Sequence, residues 1–422
     1  MSRSPQPGDC FTTVSGLDGE ITEWLGEGAQ GTVFAAAIAG GQVAMKWYHP
    51  AAATQQQRQR LQQIVAAGSP CAAFLWPQDL VRIEGNDGFG YLMPLRPAPF
   101  VSLNAVMART VDAPFSVMAM AAREMAHALL LLHARGYCYR DISFGNVFLD
   151  PHSGKILITD NDNVVVDGTG ADGILGTPRF MAPEIVRGEA QPGIAGDLYS
   201  LAVVLFYLLM LHHPLEGRRE AAIHSLDLPA MQQLYGRDPL FIFDPGDDAN
   251  APVPGLHDNA LTFWPMYPQF VRDLFVRSFT EGLHAPQRRV RETEWRAAMT
   301  DLIGLTFTCE QCGAELVHPE PFTPSPVHCW QCRQVVPHPL GLRCGSRIVL
   351  LQAGRRVEAA QAEVVRHPQH PGRLGLKNHS PQPWRCRMPG QAAELVVPPG
   401  QSVALLPGAR FLWEDAEEVC MV

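Results

Sequence analysis

Between Tyr139 and Asn146 the chain reads Tyr-Arg-Asp-Ile-Ser-Phe-Gly-Asn, which sets a carboxylate, Asp141, five residues before a carboxamide, Asn146. The first is a candidate base for the proton of a hydroxyl group, and the second is a hard oxygen ligand of the kind magnesium takes. Upstream, Gly26, Gly28 and Gly31 fit GxGxxG. Glycines at that spacing let backbone amides approach phosphate oxygens, because no side chain stands between them. Lys46 ends a Val-Ala-Met-Lys run, and Asp160 opens an Asp-Asn-Asp-Asn turn in which Asp162 is near enough to compete as a ligand or add a second one. Further on, Cys309, Cys312, Cys329 and Cys332 form two Cys-x-x-Cys pairs.

The elements around these residues narrow the chemistry. Alone, the glycine motif suits a dinucleotide-binding fingerprint or a plain hairpin. Val33-Phe34-Ala35-Ala36 reads as a second strand, not a helix start, and Lys46 ends a third, which argues against the dinucleotide fold. Ala51 to Ala67 reads as a Gln-rich helix. Phe115 to Arg135 carries Met118, Met125, Leu129 and Leu132 at helical spacing and leads into the Asp141 loop, with His133 near its end in a structural role. Lys155 to Thr159 reads as the strand before Asp160.

At 422 residues the chain is long enough for two or three domains. The 37 glycines and 36 prolines are dispersed, so a folded, loop-rich α+β chain is expected. A formal charge of -9 gives no global attraction to nucleic acid or to an anionic membrane. Met1 to Asp9 is polar and carries no secretion pattern, and the apolar run Leu198–Leu211 is shorter than a bilayer span. A cytoplasmic protein with no membrane association is expected, and four of its ten cysteines read as metal ligands, the rest being scattered.

Glycine loop, lysine, Asp141 loop, Asp160 turn and Met-Ala-Pro-Glu run follow one another in the order a phosphotransferase needs, and over about residues 16–303 the chain resembles the protein kinase superfamily. The resemblance implies a bilobal fold, with an N-lobe of about 16–95 and a C-lobe of about 96–303. It implies that Gly26, Gly28 and Gly31 cover the phosphates of ATP and that Lys46 binds the α- and β-phosphates. Val33 and Ala44 would cover adenine from above, and Phe148 would close it from below. Asp141 would be the base, with Mg2+ held by Asn146 and Asp160 and Asp162 as a further ligand. Arg140 would pair with a phosphate on Thr169 or Thr177, although Thr177 would more directly position the substrate loop. Glu184 would pair with Arg289, and Asp197 would bond backbone amides of the catalytic loop. The form of the Thr177 segment favours Ser/Thr acceptors.

Four departures stand out. Ser143 replaces the lysine usual in kinases acting on Ser or Thr, Tyr139 replaces a histidine, and Asp160-Asn161-Asp162-Asn163 replaces Asp-Phe-Gly. No Asp or Glu occurs between Lys46 and Asp79, so the helix after Lys46 lacks the glutamate that normally pairs with this lysine, and Gln57 or Gln59 is the expected substitute. Gly-Ala-Gln-Gly, Lys-Trp-Tyr, Phe-Leu-Trp-Pro, Tyr-Arg-Asp-Ile-Ser and the Phe-Ile-Phe-Asp-Pro run are similar to a bacterial kinase subfamily with a carboxy-terminal zinc ribbon. That subfamily is associated with tellurite-resistance-type phosphorylation systems, which implies a von Willebrand A-domain protein and a PP2C-type phosphatase as partners. An ATP-binding pseudokinase scaffold is the alternative reading.

The two Cys-x-x-Cys pairs form knuckles that together complete a closed tetrahedral Zn2+ shell, expected over about residues 304–340. His318, His328 and His338 lie near enough in sequence to be alternative ligands. A closed shell makes this zinc structural, and the mixed charge of the segment does not favour nucleic acid. Residues 345–422 show short runs, Ile348–Leu351, Leu395–Val397, Val403–Leu406 and Phe411–Trp413, and a small β-sandwich is expected there.

Overall fold

Six strands close into a barrel at the start of the chain in the computed structural model, which describes residues 4–169, 176–319, 326–345, 347–357, 360–412 and 419–421. They are β1 (Cys10–Thr13), β2 (Asp18–Glu27), β3 (Gly31–Ile38), β4 (Gly41–Tyr48), β5 (Asp79–Arg82) and β6 (Gly90–Pro94), in the order β1-β2-β3-β4-β6-β5. The period of two along β4 sorts its side chains. Val43, Met45 and Trp47 enter the barrel core with Phe11, Ile21, Phe34 and Val81, while Ala44 and Tyr48 pack on the other face with Tyr91 and Met93 of β6. Lys46 falls on that second face by the same alternation. Gly31 is required by packing, since a Cβ there would lie 2.3 Å from the carbonyl oxygen of Trp47.

The helix α1 (Gln55–Ala67) covers the second face through Leu61, while its Ile64 joins the core of the helical part. It starts four residues later than its composition suggests. Ala52 and Ala53 donate to the carbonyl of His49 in a turn, and the Thr54 hydroxyl then caps the helix by accepting from the Gln57 amide.

After β7 (Val101–Ser102) and α2 (Leu103–Met107) come α3 (Phe115–His133), β8 (Tyr137–Cys138), β9 (Val147–Leu149), β10 (Ile156–Ile158), β11 (Val165–Val166), α4 (Pro183–Val186) and α5 (Ile194–Met210). By length and a mean hydropathy of 1.4, α3 could cross a bilayer, but its apolar face is packed against α5 and the helix Glu292–Gly304. Nearly all of α5 is buried, among Phe241, Phe275, Phe279 and Trp295. Two short antiparallel pairs matter for function. The β9–β10 hairpin brings the residue before β9, Asn146, beside the residues just after β10, and the β8–β11 pair sets Tyr139-Arg140-Asp141 next to the same turn.

The cysteine knuckles sit on two hairpins, Thr306–Thr308 with Glu315–Val317 and Val327–His328 with Val335–Val336. Their apolar residues join the core of the helical part. Beyond them lie a six-stranded and a four-stranded sheet that share a separate cluster including Leu342, Val364, Leu376, Trp384 and Phe411. The longest hairpin there, Ala362–His367 with His370–Asn378, was not among the runs read from sequence. Trp413 lies outside the described residues.

Arg289 donates through Nη1 and Nη2 to the two carboxylate oxygens of Glu184, each at 2.8 Å, and through Nε and Nη1 to the carbonyls of Gly282 and Ala195. Arg289→Ala would leave a largely buried carboxylate unpaired. Urea denaturation of that variant is expected to show a loss of about 3–5 kcal/mol.

Candidate active site

A cleft of about 510 Å³ runs between the β2–β3 hairpin and the Asp141 loop. Gly26, Gly28 and Gly31 form its roof, with Val33 and Ala44 beside them, Phe148 opposite and Lys46, Asp141 and Asp160 at its inner end. Leu25, Met93 and Arg96 also line it, and the Arg96 guanidinium lies 4.4 Å from the centroid of the Phe148 ring. These three were not singled out from sequence. A residue on the strand leading into a glycine loop or at the end of a barrel strand carries no type-specific signal.

Both oxygens of Asp141 are held. The Thr177 hydroxyl donates to Oδ1 at 2.9 Å, and the Asn146 amide donates to Oδ2 at 3.1 Å and to the Asp141 carbonyl at 2.9 Å. The loop is in turn fixed from below. The amides of Tyr139 and Arg140 donate to Asp197 Oδ2 and Oδ1 at 2.5 and 2.8 Å. Tyr139, wholly buried, donates its hydroxyl to the carbonyl of Thr159, and Arg140 Nε donates to the carbonyl of Asn163 at 2.8 Å. Arg140 and Asp160 both have left-handed backbone (φ 74° and 51°), a cost tolerated where surroundings over-determine the geometry. Ser143 is buried within the loop. Thr169 is exposed and bonds the carbonyl of Val166.

Lys46 Nζ donates to Asp160 Oδ1, Asp162 Oδ1 and Asp162 Oδ2, each at 3.1 Å, and to Gln30 Oε1 at 3.3 Å. Burial works against its charge, but the two carboxylates outweigh that and raise its pKa. Asp160 is partly exposed to the cleft, and burial, with Asp162 close by, pushes its carboxyl up. The Asp160 carboxylate facing the cleft and the carboxamide of Asn146, which bonds Asp141, are hard oxygen donors of the kind a divalent cation takes, and these are the residues that would hold Mg2+. Asp162 is corrected here. It has no exposed surface, and both its oxygens are taken by Lys46, Tyr48 and Tyr91, so it has no free side toward a metal. The expected glutamine substitute is corrected as well. Gln57 reaches Tyr48 and the Asp162 carbonyl but not Lys46, and Gln59 is exposed. The overlooked signal was a turn with two acids following a helix with none.

The four cysteine Sγ atoms lie within 4.8 Å of one another, with Cys309–Cys332 at 3.8 Å and Cys312–Cys329 at 3.6 Å. A tetrahedron of thiolates at the usual zinc–sulfur length of about 2.3 Å has edges close to these. Among the described residues no histidine joins this group. The donor set fits zinc.

Residues 20–250, more than half of the chain, match the family described as protein kinase domain, and the chain belongs to that family. Membership implies ATP and Mg2+ as cofactors. The chain is 32% identical over 181 residues to CBL-interacting protein kinase 4 of Oryza sativa subsp. japonica, covering 40% of this chain and 38% of that protein. It is 34% identical over 97 residues to CBL-interacting serine/threonine-protein kinase 15 of Arabidopsis thaliana, covering 22% and 23%. With atypical protein kinase C of Drosophila melanogaster it shares 38% identity over 98 residues, covering 22% and 16%. The chain thus spans well under half the length of these curated relatives.

His133, at the end of α3, bonds Asp197 at 3.1 Å through Nε2 and Glu292 through Nδ1. Burial opposes its charge, but the two hydrogen bonds and carboxylates prevail and raise its pKa to about 9. Because the folded value lies above the unfolded one, this stabilisation is complete below about pH 6.5 and is lost as pH rises through about 9. It is on the order of 3 kcal/mol. Urea midpoints measured across that window are expected to fall for wild type, and the gap to His133→Gln is expected to narrow.

Proposed function

We propose that this chain is a cytoplasmic, two-lobed Ser/Thr protein kinase that moves the γ-phosphoryl group of Mg-ATP to a hydroxyl of a protein substrate. The observation that carries this is Asp141 held on both oxygens, by Thr177 and Asn146, within one cleft with Lys46, Asp160 and the glycine loop. Mg-ATP, when bound, supplies the phosphoryl group and neutralises charge on it. The chain's own residues do the rest. Amides of the Gly26–Gly31 loop and the ammonium of Lys46 hold the phosphates, and Val33, Ala44 and Phe148 exclude water around the base. Asp141 orients the acceptor hydroxyl and takes its proton. Thr177 sits beside that carboxylate, which supports Ser/Thr acceptors, as do the kinases to which the chain is similar. Arg140, with its Nη1 making no hydrogen bond, receives a phosphate on the Thr169 side of the segment in the regulated form.

In this reading about residues 304–340 are a structural zinc ribbon and 345–422 a recruiting β-rich domain. The resemblance of its motifs supports a bacterial phosphorylation system with a von Willebrand A-domain protein and a PP2C-type phosphatase. The lack of an acid on α1 favours, as a second reading, an ATP-binding scaffold.

Purified chain with labelled Mg-ATP, compared with Asp141→Asn, tests this. Wild type is expected to label serine or threonine, mapped by mass spectrometry, and Asp141→Asn to lose about 100-fold or more in rate while still binding ATP. ATP binding without transfer by wild type would favour the scaffold. Elemental analysis is expected to find one zinc per chain, and Cys312→Ser to lose it and lower the melting temperature, since such a shell supplies folding energy.

A further inference from the structure

We infer that Asp162 is the positioning residue for Lys46, supplying from the turn after β10 the carboxylate that α1 lacks, so that assembly of the lysine depends on this turn and not on the placement of α1. The inference rests on the kinase reading of the cleft and names how that site is held together.

Lys46 is 4% exposed, and a buried ammonium needs an anionic partner with further hydrogen bonds around it. From Lys46 to Asp79 the chain has no acid, so neither α1 nor its flanks can provide one. Both oxygens of Asp162 reach Nζ, and the lone pairs left over are filled by the Tyr48 hydroxyl at 2.6 Å on Oδ2 and the Tyr91 hydroxyl at 3.0 Å on Oδ1. The strands prepare this. Tyr48 follows Lys46 by two positions on the same face of β4, and Tyr91 is its cross-strand neighbour on β6. Burial and the adjacent carboxylate keep both phenols protonated, and therefore donors.

The two acids of the turn thus divide their work. Asp160 opens to the cleft and gives Lys46 one oxygen, while Asp162 stands behind the lysine with every oxygen used. The turn itself is tied down independently of α1. Asn161 Nδ2 donates to the carbonyls of Leu75 and Ile158, each at 2.9 Å, and the Asn163 carbonyl accepts from Arg140. Its single tie to α1 among these contacts is Gln57, a neutral amide that touches Tyr48 and the Asp162 backbone. A shift of α1 would break amide contacts and leave the ion pair standing.

The test compares full-length wild type with Asp162→Asn and Tyr48→Phe. Two readouts are used: steady-state phosphotransfer with ATP varied, and the rate of Lys46 acetylation by acetic anhydride in nucleotide-free protein, followed by mass spectrometry. In Asp162→Asn, kcat is expected to fall about 100-fold, more than KM for ATP changes, and Lys46 to be acetylated about fivefold faster. Tyr48→Phe, nearly isosteric, is expected to lose about fivefold and keeps the test available if Asp162→Asn does not fold. A kcat within about twofold of wild type in folded Asp162→Asn, or in Tyr48→Phe when only that variant folds, overturns the inference. If wild type transfers no phosphate, the kinase reading fails by itself and acetylation decides: an unchanged rate removes Asp162 as the partner, and a faster one sustains it.

Discussion

The buried ammonium of Lys46 is where the strand barrel and the helical part of this protein meet. A cation on a barrel strand cannot be left without an anion, and the carboxylates that answer it come from a turn more than a hundred residues later. That requirement fixes how the barrel sits over the turn. It also draws in Gln30 from the glycine loop, which accepts from Lys46 and donates to Asn163 at 3.3 Å. One charge therefore links roof, wall and floor of the cleft.

Below the cleft the same logic runs through Asp197. Its carboxylate sits at the first turn of α5, a helix buried almost from end to end, and it orders the Asp141 loop through two backbone amides and α3 through His133. A rigid apolar helix thus delivers one polar group to the place where the chain is irregular. Burial makes those bonds strong, and the same burial makes them costly to leave unmade.

The cysteine module continues this arrangement. Glu315 accepts from the amide of Ser116 at 2.7 Å, satisfying a free donor at the start of α3, and Trp330 packs against Phe115 and Phe263 while donating to the carbonyl of Glu315. The knuckles therefore cap the helix that leads into the Asp141 loop. Gln352 and Thr308 exchange two hydrogen bonds at 2.7 Å and join the module to the sheets that follow.

Much of the cleft and of the cysteine site was legible in the chain because their chemistry needs particular residue types at short, fixed spacings: three glycines, an Asp and an Asn five apart, and, for the metal, two Cys-x-x-Cys pairs. Strand alternation sets which residues of β4 share a face with Lys46. The long hairpin Ala362–Asn378 escaped because its polar edge hides the period-two signal. The sequence alone determined which charged and polar groups exist and that α1 could offer no acid. Only the tertiary structure decided which acid answers Lys46, because Asp162 differs from Asp160 in nothing but its place on a turn. Pairing across so long a loop is set by how barrel and turn pack, and residue spacing carries no record of it.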